Sequence, residues 1–335
     1  MLSTCLVAAL LVGCAIGCHD SQAAQNQAQA AAEAPKPAEI RLDYATYNLS
    51  SLVLKKQGWL DADLAKDGIS VRWVFSAGSN KANELLASSS VDFASTAGAA
   101  ALLARTNGVP LKVVYVYSKP EWAALVVGAG SSITQVADLK GKKVAATRGT
   151  DPFFFLLRSL AAVGLHQSDI ELVHLQHGDG RAALTRGDVD AWAGLDPFMA
   201  SAELREHARI VYHNIDFNSF GTLNAREDFL ANYPVYAQRV IASYERARAW
   251  ILEHKPEAAQ LLAAEGKIEQ DVATRQILER TVLDRDVGAP GEALHKALVA
   301  VIPILRAEKL VGGSADPDKA LAELFAPAAA LAVIK

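Results

Sequence analysis

Hydrophobic and polar positions fall into three regimes along this chain. Residues 5–17 are one unbroken apolar run. From Ile40 the pattern changes to short alternating or apolar runs, each followed by small residues and then a helical period. Ile40–Thr46, Val71–Phe75, Val91–Ser95 and Leu111–Tyr117 read as strands, with helices over Leu49–Lys56 and from Ser79 to Ser88. The order then recurs: strand Lys143–Ala146, turn Gly149-Thr150-Asp151-Pro152, helix Phe153–Val163, strand Ile170–Leu175 and helix Gly178–Arg186. Val189-Asp190-Ala191-Trp192 echoes Val91-Asp92-Phe93-Ala94, ninety-eight residues earlier. Alternation of this kind predicts an α/β fold, and the echo predicts two similar lobes, each a mostly parallel sheet flanked by helices. Past Phe220 only helical spacing remains, with Val240, Tyr244, Ala247 and Ile251 on one face and Pro234 and Pro256 at helix starts.

The first run is too short to span a bilayer and suits the core of a signal peptide, closing in Ala15-Ile16-Gly17-Cys18. Cys18 is read as the lipid anchor; Cys14, after Leu11-Val12-Gly13, is the alternative. No Lys or Arg precedes Lys36, which a start assigned too late would explain. Ser21–Ala38 is a tether, either a flexible coil reaching about 20–25 Å or a short Ala-rich helix. The expected division is signal peptide 1–18, tether 19–38, lobe I 39–127, lobe II 131–220, and a return to lobe I with C-terminal helices over 221–335. The expected location is the periplasm or the outer face of the cell membrane.

With 335 residues and 51% hydrophobic content, two lobes can each bury a core. The three cysteines all lie in the export segment, so the globular part has no disulfide, cysteine-ligated metal or thiol nucleophile. A formal charge of −4 without a basic block argues against nucleic acid. It also means that an anionic ligand must be held by local dipoles rather than by the overall field.

Four turns follow predicted strands: Thr46-Tyr47-Asn48, Ser76-Ala77-Gly78-Ser79-Asn80, Thr96-Ala97-Gly98 and Arg148-Gly149-Thr150. Ligands of open α/β sheets bind at such strand ends, and a helix N-terminus offers an oxyanion its free N–H groups and dipole. Each terminus contributes about 0.3–1 kcal/mol, or about 2 when partly buried. Micromolar affinity needs about 8 kcal/mol. Several termini must therefore converge on one ligand. The competing reading of each turn is an ordinary helix cap.

The order of several pieces resembles a known family. They are Leu52-Val53-Leu54-Lys55 to Gly58-Trp59-Leu60, Ser79–Glu84, Val91-Asp92-Phe93, Asp138-Leu139-Lys140-Gly141-Lys142-Lys143-Val144-Ala145, Gly149-Thr150, and Val189–Trp192 leading to Asp196-Pro197. Together they resemble the aliphatic-sulfonate and taurine binding proteins of ABC importers, type II periplasmic binding proteins related to nitrate and pyrimidine-precursor receptors. The resemblance implies a ligand cleft at the hinge, a small organosulfonate ligand, an ABC permease partner, a monomer and no cofactor. It also implies ligand contacts from Asn48, Ser76, Gly78, Ser79, Thr96, Gly98, Arg148, Gly149, Thr150, Trp192 and Asp196. Two departures stand out. Asp151-Pro152 follows Thr150, where a capping carboxylate would compete with an anion, and Asp196-Pro197 repeats the arrangement. Arg148 could neutralise one carboxylate, or the ligand could carry an ammonium.

Other classes fit less well. His174 and His177, with His166 and Asp179 near, lack zinc-site spacing, so no metal is expected. A hydrolase built on Thr150 or Ser76 with His177 lacks a nucleophile elbow, so no catalytic residue is assigned. A tethered sensor using the same clamshell stays open as an alternative to import.

Overall fold

The computed structural model describes residues 35–284 and 286–334. The calls on Cys14, Cys18 and most of the tether lie outside them.

Among the described residues, ten strands form two five-stranded sheets. The first is ordered β2-β1-β3-β10-β4, from β1 (Glu39–Tyr44), β2 (Ser70–Phe75), β3 (Phe93–Ala97), β4 (Leu111–Ser118) and β10 (Gly221–Arg226). The second is ordered β7-β6-β8-β5-β9, from β5 (Ala123–Val127), β6 (Lys143–Ala146), β7 (Glu171–His174), β8 (Ala191–Leu195) and β9 (Arg209–His213). Helices α1 (Leu49–Gln57), α2 (Trp59–Leu64), α3 (Ser79–Ala87) and α4 (Gly98–Thr106) belong to the first lobe. Helices α5 (Asp151–Ala162), α6 (His177–Arg186) and α7 (Phe198–Glu206) belong to the second. The chain then continues through α8 (Glu227–Asn232), α9 (Pro234–Glu253), α10 (Lys255–Gly266), α11 (Gln270–Arg275) and the π-turn Gln276–Arg280.

Each sheet is mixed in the same way. Strand β1 runs parallel to β2 and β3, whereas β10 is antiparallel to both neighbours; β6 runs parallel to β7 and β8, whereas β5 is antiparallel to both of its own. The reversed strand is in each case the one that arrives from the other lobe. The expected boundary at 127 is therefore corrected, because β5 pairs with β8 and β9 and the first crossing lies between Ser118 and Ala123. The second crossing ends at Gly221, where β10 begins.

The echoed Val-Asp has a physical role. The Asp92 N–H donates to the Arg41 carbonyl and the Arg41 N–H to the Asp92 carboxylate, at 2.8 and 2.9 Å. Asp190 does the same with Lys143, at 2.8 Å both ways. Each aspartate locks the start of a central strand to the start of its parallel neighbour, where the sheet ladder alone would leave polar groups unpaired. Asp92 is buried and also takes the Arg41 guanidinium at 2.6 and 3.0 Å. Asp190 is exposed.

Local chemistry sets the helix ends near the cleft. The Asn48 side chain accepts from the Ser51 N–H and caps α1, which stops at Gly58 with φ 64°. Pro152 stands in the first turn of α5, where its missing N–H costs nothing. Phe153, Phe154 and Phe155 are all buried in the core. In α9, Val240, Tyr244, Ala247 and Ile251 are buried as their spacing predicts. This core sits against the first sheet, among the side chains of α1 and β4.

Asp92→Ala should cost about 2–3 kcal/mol, since it removes a buried charged acceptor with several donors. Asp190→Ala, in solvent, should cost about 1 kcal/mol or less. Urea denaturation of both variants checks this, and equal losses would contradict the burial argument.

Candidate functional site

Between the lobes lie two small chambers divided by Tyr47 and Trp122, whose rings meet edge to face with centroids 6.1 Å apart. The upper chamber, with room for about one water, is lined by Ser79 from the first lobe and by Thr150, Asp151, Pro152, His177 and Leu195 from the second. The lower is lined by Ser50, Tyr117, Asp196, Gln276 and Arg280 among others. The lobes touch above the upper chamber. A Cβ on Gly78 would stand 3.1 Å from His177 Nε2, and one on Gly149 would stand 3.7 Å from the Asn80 Cβ.

The floor under Tyr47 is a buried polar chain. Ser76 Oγ donates to Asp43 at 2.7 Å and lies 3.1 Å from Tyr47 Oη, which donates to the Ser95 carbonyl. The Ser95 N–H and hydroxyl both reach Asp43. With Asp43 ionised, three hydroxyl protons must fill four contacts, and the Ser76–Tyr47 contact stays empty. A protonated Asp43 donating to Ser76 fills all four. Burial pushes its carboxyl up to about 7, against the downward pull of Ser76 and Ser95.

The two crossing segments are tied by Asp151. Its carboxylate accepts from Trp122 Nε1 at 2.7 Å and from the Ser219 N–H at 2.9 Å, with the Ser219 hydroxyl as third donor. Thr150, not Asp151, occupies the N-cap position of α5. The expected competition between Asp151 and an anion is therefore corrected, because this carboxylate turns back to the hinge. Ser219 in turn accepts the Gly98 N–H at its carbonyl and the Ala99 N–H at its hydroxyl.

The chain itself thus consumes the first amides of α4, and the Thr96-Gly98 turn offers nothing to a ligand. A Cβ on Gly98 would lie 2.5 Å from the Ser219 carbonyl, and Thr96 bonds within its sheet to Thr222 and Asn224. Trp192 is fully buried against Gly180 in the core of the second lobe. Arg148 is exposed and lines neither chamber. Asn48 and Ser76 stand behind the wall as cap and floor. None of these six residues lines either chamber. Ser79, Thr150 and Asp196 do line the chambers, and Gly78 and Gly149 form the seam above them.

Asp196 also differs from a simple cap. It accepts the Ala200 N–H at 2.9 Å and the Arg280 guanidinium at 3.0 and 3.3 Å, across the lobe boundary. Arg280 reaches Glu203 of α7 as well. Burial raises the Asp196 carboxyl to about 6, with Arg280 pulling it down. The hydrolase grouping is not assembled: Thr150 donates to the Thr147 carbonyl, Ser76 to Asp43, and His177 pairs with Thr147. Among the described residues no cluster of three or more His, Cys, Asp or Glu could hold a metal.

Sequence reasoning passed over Tyr47, Ser50, Tyr117, Gln276 and Arg280. Tyr47 lies inside a turn already singled out. Gln276 and Arg280 lie in the helical third, where no strand end marks them.

The sequence pattern described as NMT1/THI5 like matches residues 49–259. The chain belongs to the NMT1/THI5-like family. A protein of Escherichia coli (strain K12) described as aliphatic-sulfonates-binding is 31% identical over 236 residues, covering 70% of this chain and 73% of that protein. The solved alkanesulfonate-binding protein SsuA from Xanthomonas axonopodis pv. citri, bound to MOPS, superposes with a TM-score of 0.78 at 25% identity, over 86% of this chain and 99% of that one. The periplasmic aliphatic sulphonate binding protein SsuA from Escherichia coli gives 0.75 at 25% identity, over 87% and 93%. The fold of this NMT1/THI5-like chain is that of the periplasmic binding proteins.

Asp43 has a measurable consequence for this family member. Its folded pKa is raised, so it adds stability fully below the ordinary carboxyl range and loses that stability as pH rises through about 7. Asp43→Asn should flatten the fall in melting temperature between pH 4 and 8, read by calorimetry. An unchanged slope would place the titration elsewhere.

Proposed function

We propose that the chain is an extracytoplasmic receptor that captures a small organosulfonate between its lobes and delivers it to an ABC permease. The observation that carries this reading is the meeting of α3 and α5 at one chamber, with Ser79 and Thr150 both in its wall. First-turn amides have no intrahelical acceptor. Ser79 at the start of α3 and Asp151 at the start of α5 each bring such an amide, whereas Pro152 has no N–H and Phe153 and Phe154 donate to the Thr150 carbonyl. Donors thus come from both lobes, so ligand contact favours closure. The apolar faces of Trp122, Pro152 and Leu195 suit an alkyl group beside those donors. Relatives described as sulfonate-binding support the ligand class.

The role is binding rather than catalysis, since the Thr147 hydroxyl next to His177 spends its proton on the Leu175 carbonyl at 2.7 Å. Action as a monomer in the periplasm, held by a lipid on Cys18, completes the proposal.

Alkanesulfonates at a hundred times their Kd should stabilise the protein by about 2.7 kcal/mol. Thermal shift against a sulfonate series checks this, with matched alkyl carboxylates and nitrate as comparison. Gly78→Val, pressing on His177 and Asn80, should weaken binding at least tenfold with the fold retained. A series in which no sulfonate raises the melting temperature would overturn the assignment.

A further inference from the structure

We propose that a groove at the hinge, separate from the two chambers, is a second ligand site, which takes a small organic carboxylate with an apolar body. The site does not depend on sulfonate capture; only its effect on the cleft rests on that reading.

Four pieces of chain build the groove, of about 380 Å³. Helix α5 of the second lobe gives Arg158, and the two crossing segments give Lys119 on one side and Asn218 and Phe220 on the other. The fourth is α12 (Glu292–Val299), which turns Ala293, Lys296 and Ala297 to the groove. Leu294 and Leu298 of α12 pack beside Gly98, at the start of α4 in the first lobe. Small-molecule sites occupy about 300–1,000 Å³. The groove has that size already, and it shares no residue with either chamber.

The groove is cationic in a chain of net charge −4. Lys119, Arg158 and Lys296 line it against one carboxylate, that of Asp216. Arg158 matters most. It is half-buried, and its Nη1 donates to the Asp216 carbonyl at 2.9 Å rather than to a carboxylate. The guanidinium lies over the Phe217 ring, 4.4 Å from its centroid. Among the described residues no acid pairs with it, and Asp151, which acts on it through space, is filled by its hinge donors. Burial lowers the Arg158 pKa, so the charge is partly desolvated with no paired anion to offset that cost. Lys296 is exposed and also has no carboxylate partner among the described residues. Lys119 is shared with Asp286, at 3.2 Å.

The rest of the wall is apolar. Ala293 and Ala297 stand one helical turn apart on α12, and the Phe220 ring, with Lys119 over it at 5.4 Å, closes the floor. Phe220 has φ 64°, in the left-handed region that a bulky residue enters only under strain. Its carbonyl and that of Ser219 both take the Gly98 N–H, which holds the turn. Strain of that kind gathers at ligand sites, and here it sets an aromatic ring under a lysine. With Nη1 engaged, Arg158 Nε and Nη2 are left as a parallel pair of donors, which matches a planar carboxylate. The ammonium groups add charge, and an apolar body covers the alanines and Phe220.

The walls come from both lobes and from the hinge between them. An occupant that bridges Arg158 and Lys296 favours the lobe arrangement that gives the groove this shape, in which the lobes touch above the upper chamber. Coupling between two sites is reciprocal, so the same occupant tightens binding in the cleft.

Benzoate is the probe, and benzamide its uncharged counterpart. Calorimetric titration of the full chain should show benzoate bound at least tenfold tighter than benzamide. Arg158→Gln should weaken benzoate at least tenfold, Lys296→Gln at least threefold, and Ala297→Phe, which fills the groove, should abolish binding. Gly78→Val, which alters the cleft, should leave benzoate affinity unchanged. If Arg158→Gln does not fold, the other two groove variants carry the test. Saturating benzoate should also tighten alkanesulfonate binding at least threefold, a gain that Ala297→Phe removes. No benzoate binding, or binding that Lys296→Gln and Ala297→Phe leave unchanged, would overturn the site. A sulfonate affinity that benzoate does not change would overturn the coupling. Absence of any sulfonate binding would overturn sulfonate capture and leave the benzoate result standing.

Discussion

The carboxylate of Asp151 takes hydrogen bonds from Trp122 on one crossing segment and from Ser219 on the other, and Ser219 accepts the leading amides of α4. One buried negative charge thus joins a helix of the second lobe to both hinge segments and, through Ser219, to a helix of the first. A buried carboxylate is tolerable only when its lone pairs are filled. Here three donors fill them, so the hinge segments cannot shift independently without stranding the charge. The wall between the two chambers depends on this, because Trp122 is positioned by its indole N–H and Tyr47 packs on its ring.

The same arrangement decides which helix ends are available to a ligand. Four turns lie at strand ends, yet they are not equivalent. Helix α4 is closed by Ser219, and the start of α1 is capped by Asn48. Helix α3 begins at the upper chamber with Ser79, whereas α5 keeps only the Asp151 amide there, since Pro152 has no N–H and Phe153 and Phe154 donate to the Thr150 carbonyl. The lower chamber has a guanidinium, but Arg280 is committed to Asp196 and Glu203. On the proposed reading, the upper chamber would have to hold an anion with backbone dipoles alone, in a chain whose net charge of −4 does not attract one. Dipoles that are rigid parts of the fold need no reorganisation when the lobes meet.

Much of the architecture was legible because period and punctuation agree. Lys143–Ala146 and the face of α9 emerged from hydrophobic spacing, and the Val-Asp echo marked β3 and β8 as equivalent strands, each third in its sheet. The boundary at 127 failed because Ala123–Val127 is a fully buried apolar run, and nothing in such a run says which sheet it joins. Trp192 was misplaced for a related reason. Alternation along β8 puts Ala191 and Ala193 on one face and Trp192 on the other, but which face meets the cleft is a tertiary fact. Asp151 and Asp196 looked like caps, which is what their local sequence supports. Their hinge and interlobe partners, Ser219 and Arg280, lie 68 and 84 residues away.

The contact of α7 with the α11 region shows why closure still needs a ligand. Arg280 pairs with Asp196 and Glu203, Arg275 lies 4.0 Å from Glu203, and Arg205 reaches Asp271 and Glu269. The outer pairs are solvated and each contribute about 0–1 kcal/mol. The inner pair, with Asp196 1% and Arg280 11% exposed, is different. Separating the lobes returns both charges to water, and the solvation regained offsets much of the lost attraction. Such a pair specifies one docking geometry more than it holds the lobes shut. On the proposed reading, the free energy that separates a mostly open from a mostly closed population then comes from contacts that exist only when ligand fills the chamber, made by groups of both lobes.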